Sequence, residues 1–71
     1  MLYVVEVRRG HHELSAIMAG IREWLDGQRF EPDAFRCTTE EATVTCRLEF
    51  KFESEAIACA QAFEGEVRPL G

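Results

Sequence analysis

Hydrophobic and polar residues alternate in two stretches of the chain, and this period predicts β-strands with one wet face. The longer stretch, residues 43–52, alternates without a break. The shorter one, residues 2–8, is rich in β-branched and aromatic side chains. Their core sides are predicted to carry Tyr3, Val5 and Val7 in the first strand and Val44, Cys46, Leu48, Phe50 and Phe52 in the later one.

Residues 11–27 follow the helical period instead. Large apolar residues recur there at spacings of three and four, which builds a stripe roughly 120° wide on an α-helix. The stripe consists of Leu14, Ile17, Met18, Ile21, Trp24 and Leu25. Gly27 is expected to end the helix in the left-handed conformation, and Pro32 prevents the helix from resuming.

The remaining chain predicts a hairpin, a second helix and a last strand. A strand over 34–38 is joined to the strand over 43–52 by the short polar segment Thr39–Ala42. Residues 55–64 predict a helix with Ser54 as N-cap and Gly65 after its end. Its inward residues are mostly small (Ala56, Cys59, Ala60 and Phe63), so it can lie close to a sheet. Residues 66–70 predict a strand that Pro69 restricts to an edge.

This β-α-β-β-α-β order predicts one α+β domain over residues 1–71. Right-handed crossovers place both helices on one face of a four-stranded antiparallel sheet with strand order 4-1-3-2. That arrangement is the ferredoxin-like βαββαβ plait.

Size and charge limit the classes of function. A core in a chain of 71 residues rarely supplies more than ~3–5 kcal/mol, which favours self-association. The 13 acidic and 8 basic residues give a net charge of −5, which repels phosphate backbones and disfavours nucleic acid as a partner. No apolar run approaches the ~20 residues that span a bilayer, so no membrane partner is expected. Without a recognisable signal peptide, a cytoplasmic location is predicted.

The three cysteines, Cys37, Cys46 and Cys59, all lie on predicted core sides. None belongs to a C-x-x-C pair, and neither histidine has zinc-ligand spacing to them. We therefore expect them to pack as small hydrophobic residues, with no metal site and no cofactor.

Two surfaces are candidate sites. The segment Arg8, Arg9, Gly10, His11 and His12 precedes the first helix, whose unpaired N–H groups could help to bind an anion there. A plain surface loop is the simpler interpretation of this segment. The second surface is the sheet face without helices, for which the interface candidates are Leu2, Val4, Glu6, Arg36, Arg47 and Glu49. Its mixed charges fit either a solvated face or half of a polar homodimer interface.

The string Trp24–Pro32, the segment Phe50–Glu53 and an Ala-rich helix that ends in Phe63-Glu64-Gly65 resemble short uncharacterised bacterial proteins. The resemblance implies a bacterial origin and the ferredoxin-like pattern, and it transfers no activity.

No nucleophile elbow, phosphate-binding loop or paired-carboxylate motif occurs in the sequence. The favoured hypothesis is therefore a non-enzymatic module for protein interaction or self-association, most simply a homodimer. The alternative is a sensor of small molecules or anions that binds at the Arg8–His12 segment and the start of the first helix.

Overall fold

The computed structural model describes residues 1–70, in which four strands and two α-helices follow the predicted order. The elements are β1 (Leu2–Gly10), α1 (Leu14–Gln28), β2 (Ala34–Glu40), β3 (Thr43–Phe50), α2 (Glu53–Phe63) and β4 (Glu66–Leu70). A 3₁₀ turn, His11–Glu13, leads into α1. None of the helices within these residues combines the length and the apolar content needed to cross a membrane.

The strands form one antiparallel sheet in the order β2-β3-β1-β4, which confirms the predicted order 4-1-3-2 read from the other edge. β1 and β3 lie at the centre. Pro69 lies on the edge strand β4 opposite Tyr3, as expected for a residue that cannot donate a ladder hydrogen bond.

Both helices pack on one face of this sheet, and the core lies between them and the strands. The fully buried sheet residues of that face are Val5, Val7, Val44, Cys46, Leu48 and Phe50. They pack with Ile17, Ile21 and Leu25 of α1 and with Ala56, Cys59 and Ala60 of α2. Because its inward residues are small, α2 approaches β1 more closely than α1 does.

The close approach of α2 explains the glycine that follows it. A Cβ atom on Gly65 would lie 2.6 Å from the backbone oxygen of Glu6, so a larger residue would displace β1. The left-handed residue at this helix end is Glu64, with φ 56°, and not the expected Gly65. The amide of Gly65 instead donates to the Ala60 carbonyl at 2.8 Å.

The end of α1 also differs from the prediction, because Gly27 stays inside the helix and Arg29 takes the left-handed conformation (φ 61°). The amide of Phe30 donates to the Leu25 carbonyl at 3.0 Å, and the Phe30 ring meets Trp24 edge to face. This is the Schellman arrangement with its usual hydrophobic contact, and that contact fixes the end two residues later.

The start of α2 was predicted two residues too late. The helix begins at Glu53 and Phe52 precedes it as N-cap, so Ser54 lies inside the first turn and is not the N-cap. β3 accordingly ends at Phe50, and Phe52 is 61% exposed rather than part of the core. Acidic residues in the first turn, Glu53 and Glu55, favour this early start through the helix dipole.

Candidate functional site

The face of the sheet opposite the helices, called here the open face, carries every second residue of the four strands. The pairing register assigns to it Leu2, Val4, Glu6, Arg8 and Gly10 of β1, Ala34, Arg36, Thr38 and Glu40 of β2, Thr43, Thr45, Arg47 and Glu49 of β3, and Glu66, Arg68 and Leu70 of β4. All six predicted interface residues therefore lie on this one face. Whether the face binds a partner stays a prediction.

A row of four charged residues crosses the open face near the middle of the strands. Arg36 pairs with Arg47 across β2 and β3, Arg47 pairs with Glu6 across β3 and β1, and Glu6 pairs with Glu66 across β1 and β4. The row therefore has two positive residues on one half of the sheet and two negative residues on the other. We call these four residues the charge row.

Glu6 is the centre of the ion pairs on this face. Its two carboxylate oxygens accept hydrogen bonds from Arg68 at 3.2 and 3.0 Å, and Arg8 approaches it at 3.6 Å. The Glu6 side chain is only 14% exposed, whereas those of both arginines are more than half exposed. The bidentate geometry fixes the Glu6 carboxylate in orientation.

The other three members of the charge row have fewer ion pairs than Glu6. Arg47 lies 3.8 Å from Glu49 on its own strand. Arg36 and Glu66 are exposed and form no ion pair with any residue from 1 to 70. The charge row thus has an unpaired positive charge at its end on edge strand β2 and an unpaired negative charge at its end on edge strand β4.

Val4 is fully buried although it lies on the open face. Its cross-strand neighbours are Glu49 and Arg68, and long charged side chains of this kind cover apolar groups with their aliphatic stems. Val4 is therefore part of the floor of the face and offers no surface to a partner. The apolar groups that reach solvent lie at one end, where half-buried Leu2 pairs with exposed Leu70.

Two neighbouring depressions indent this face. One has a volume of about 530 Å³ and is lined by Glu6, Ala34, Arg36, Thr38, Thr45, Arg47 and Glu49. The other has a volume of about 590 Å³ and is lined by Arg8, Thr38, Glu40, Glu41, Thr43 and Thr45. They share Thr38 and Thr45, so they form one continuous concave region over β2 and β3.

The predicted anion-binding segment is divided between the two faces of the sheet. Arg8 projects on the open face toward Glu6. Arg9 lies on the other face, where its guanidinium donates to the Phe63 carbonyl at 2.6 Å and to the Arg8 carbonyl at 2.8 Å. Arg9 thus binds the negative end of α2. The two arginines do not converge on a common ligand position.

The histidines of the same segment lie in the 3₁₀ turn. The amide of His11 donates to the Ala42 carbonyl at 2.8 Å, which ties this turn to the β2–β3 hairpin. Both imidazole rings are exposed, and His12 lies 4.0 Å from Glu13. The side chain of His12 fills the space beside Gly10, within 2.8 Å of the position of a Cβ atom there. The segment is ordered by backbone contacts of the fold, and anion binding at it stays a prediction.

The cysteines differ from the prediction that all three are free packing residues. Cys37 and Cys46 are paired across β2 and β3 with their Cα atoms 4.0 Å apart, and they form a disulfide. Cys59 is free and fully buried, and burial raises the pKa of its thiol to about 11. Residues 1–70 contain no cluster of three or more His, Cys, Asp or Glu side chains arranged to hold a metal ion.

The interface candidates named from the sequence omitted Glu66, which completes the charge row. The signal that could have placed it is its spacing of two from Arg68, since alternate residues of a strand share a face. Comparison with known proteins assigns no function to this face, because no protein-family model, no curated protein and no solved structure matches the chain.

Proposed function

We propose that this protein is a non-enzymatic self-association module that forms a homodimer through its open face. The observation that carries the proposal is the distribution of charge between this face and the remaining surface. The open face holds four arginines (Arg8, Arg36, Arg47 and Arg68) and four glutamates (Glu6, Glu40, Glu49 and Glu66). It is therefore neutral.

The rest of the chain holds the whole net charge. Subtracting four from the 8 basic and four from the 13 acidic residues leaves 4 basic and 9 acidic residues, a net charge of −5. Two copies that approach through their helix-bearing sides bring like charges together. Copies that approach through their open faces meet neutral surfaces of mixed sign, and such complementarity selects orientation in protein association.

The dimensions of the open face suit a small dimer. Four strands about 4.8 Å apart and eight residues at about 3.4 Å per residue give a projected area on the order of 500 Å². The accessible surface of a face textured by long side chains exceeds this projection. Stable interfaces bury about 800 Å² per partner, so the open face must be used almost entirely.

The disulfide weakens the argument that a chain of this length needs self-association for stability. A small core without a covalent crosslink favours oligomerisation, but the Cys37–Cys46 bond supplies such a crosslink. The proposal therefore depends on the open face and not on a deficit of stability. The disulfide also counts against the predicted cytoplasmic location, because disulfides are rare in reducing compartments. A bacterial origin stays a prediction.

The finer description of the fold is also a proposal. The element order, the strand order and the placement of both helices on one face support a ferredoxin-like plait. Because that architecture hosts many activities, it adds nothing to the functional argument.

The test is light scattering after size exclusion, over a wide range of protein concentration. We expect the mass to rise toward twice that of the monomer as concentration increases. Arg47→Glu, in the middle of the open face, should shift this transition to higher concentration. Arg22→Glu, an equal change of charge on the exposed side of α1, should leave it unchanged. A wild-type protein that stays monomeric throughout would contradict the proposal.

A further inference from the structure

The charge row has a symmetry that bears on how two open faces can meet. Across the sheet from β2 to β4 its signs are plus, plus, minus, minus, for Arg36, Arg47, Glu6 and Glu66. Reversing the order of the four positions exchanges every positive residue with a negative one. A surface with this property is complementary in charge to a copy of itself that is rotated by 180° about an axis parallel to the strands.

A two-fold axis between facing sheets can run along the strands or across them, and the charge row distinguishes these two cases. An axis along the strands places β2 of one copy over β4 of the other, so Arg36 faces Glu66. An axis across the strands places β2 over β2 of the second copy, so Arg36 faces Arg36. Only the first case opposes unlike charges at all four positions.

We infer that the homodimer has its two-fold axis parallel to the strands, between β1 and β3, with Arg36 of each copy against Glu66 of the other. The inference rests on the proposed self-association and adds its geometry. In the same arrangement Arg47 of one copy lies opposite Glu6 of the other. Isologous interfaces repeat each contact twice, so the row supplies four pairs of unlike charge.

The strongest support for this axis comes from Arg36 and Glu66, the two unpaired residues at the ends of the charge row. Arg36 and Glu66 have no ion-pair partner among residues 1–70, and they lie at the same level on opposite edges of the sheet. Each therefore meets the group it lacks in the second copy. Facing sheets pack about 10 Å apart, a distance that an arginine and a glutamate extended from opposite sides can bridge.

The row of open-face residues next to the charge row is also compatible with a two-fold axis along the strands. It contains Ala34, Glu49, Val4 and Arg68 in order across the sheet. Reversal places Arg68 of one copy over Ala34 of the other, next to Glu49. The small side chain of Ala34 leaves room for the longer one, and the buried Val4 presents no bulk to the second copy.

The experiment exchanges the two unpaired charges. Arg36→Glu and Glu66→Arg, made separately, each place like charges opposite one another twice in the inferred dimer. Because each substitution opposes like charges twice, we expect each variant to raise the dimer Kd at least about ten-fold. The double variant Arg36→Glu/Glu66→Arg restores unlike pairs and should return to within about three-fold of the wild-type Kd. Sedimentation equilibrium measures all four proteins.

The outcomes separate this inference from the proposed function. A monomeric wild type overturns both. If the wild type dimerises through this face but the single variants leave the Kd unchanged, or the double variant fails to recover, the inferred axis is wrong. An axis across the strands predicts unchanged Kd values, because it opposes residue 36 to residue 36 and residue 66 to residue 66, which stay like pairs in every variant. Both substituted positions are exposed edge-strand residues, and thermal unfolding of each variant verifies that it folds.

Discussion

The two faces of the sheet are made by alternate residues of the same strands, yet most residues of one face differ from those of the other in burial and in charge. On the helix-bearing face of β3, Cys46 and Leu48 are fully buried. On its open face, the next residue along, Arg47, has a side chain 44% exposed, and that of Glu49 is 24% exposed. The helices cover one face, whereas the other carries charged side chains, of which Arg36, Glu40 and Glu66 have no ion-pair partner in residues 1–70.

This contrast separates folding from association within one small sheet. Burial of apolar surface on the helix side supplies the main favourable free energy of folding. Exposed ion pairs contribute little to stability, with a typical value of about 0–1 kcal/mol. Substitutions on the open face should therefore change binding far more than folding, while those on the covered face should do the reverse.

The largest expected difference is between neighbouring residues of β3. Leu48→Ala removes a fully buried side chain and should lower the free energy of unfolding by about 2–5 kcal/mol. Arg47→Ala removes an exposed one and should change it by less than about 1 kcal/mol. Urea denaturation at a protein concentration below the dimer Kd measures both without the contribution of association.

A loss of this size approaches the whole stability expected of so small a core, so a milder variant is needed beside it. Leu48→Met keeps the volume and should cost less than about 1.5 kcal/mol. If Arg47→Ala destabilised the monomer as much as Leu48→Ala, the separation of roles between the two faces would be wrong.

The next effect concerns the crosslink between β2 and β3. Cys37 and Cys46 are nine residues apart, and closing so short a loop in the unfolded chain corresponds to about 2–3 kcal/mol. A reductant should therefore lower the free energy of unfolding of the wild type by that amount. It should have no effect on Cys37→Ser, whose stability should equal that of the reduced wild type. The disulfide would be absent if reductant left the stability of the wild type unchanged and thiol titration found three free thiols instead of the one expected for Cys59.

A smaller effect follows from the free thiol in the core. Burial raises the pKa of Cys59 from 9.0 to about 11, so the folded state holds this proton more tightly than the unfolded state. The resulting stabilisation is complete below pH 9 and is lost as pH rises from about 9 to 11. The loss amounts to about 2 kcal/mol at pH 11.

The measurement is the free energy of unfolding of the wild type and of Cys59→Ala across that pH interval. The alanine variant starts lower because it leaves a cavity, but its stability should fall less steeply with pH. Parallel curves for the two proteins would mean that the thiol does not titrate with folding.

The faces could be predicted from the sequence because a strand has a period of exactly two residues. Val44, Leu48 and Phe50 lie on the covered side and Arg47 and Glu49 on the open side, as their alternation requires. The helical period likewise placed most of the α1 stripe correctly, since Ile17, Ile21 and Leu25 are buried and Leu14 and Trp24 pack against the core. The C-terminal end of α1 was not predictable from Gly27 alone, because the contact of Phe30 with Trp24 decides where the helix ends.

The disulfide was missed because its formation depends on strand register. Assigning Thr39–Ala42 to the loop pairs residue 38 with residue 43, which sets Cys37 opposite Val44. In the structure the turn is only Glu41–Ala42, with φ 53° at Glu41, and residue 40 pairs with residue 43. That slip of two residues brings Cys37 opposite Cys46. Without an Asn-Gly signal, the sequence could not distinguish the two registers.

The smallest predicted effect on folding tests the centre of the open face. Glu6→Gln keeps the shape of the side chain but removes the charge that binds Arg68 and Arg8. Because these arginines remain solvated, we expect the monomer to lose about 1 kcal/mol or less. The difference from the wild type should shrink in 1 M salt, where the screening length is about 3 Å. Denaturation at low and high salt measures it. A loss that is large and independent of salt would mean that Glu6 acts through buried hydrogen bonds, and the open face would then belong to the folding core as well.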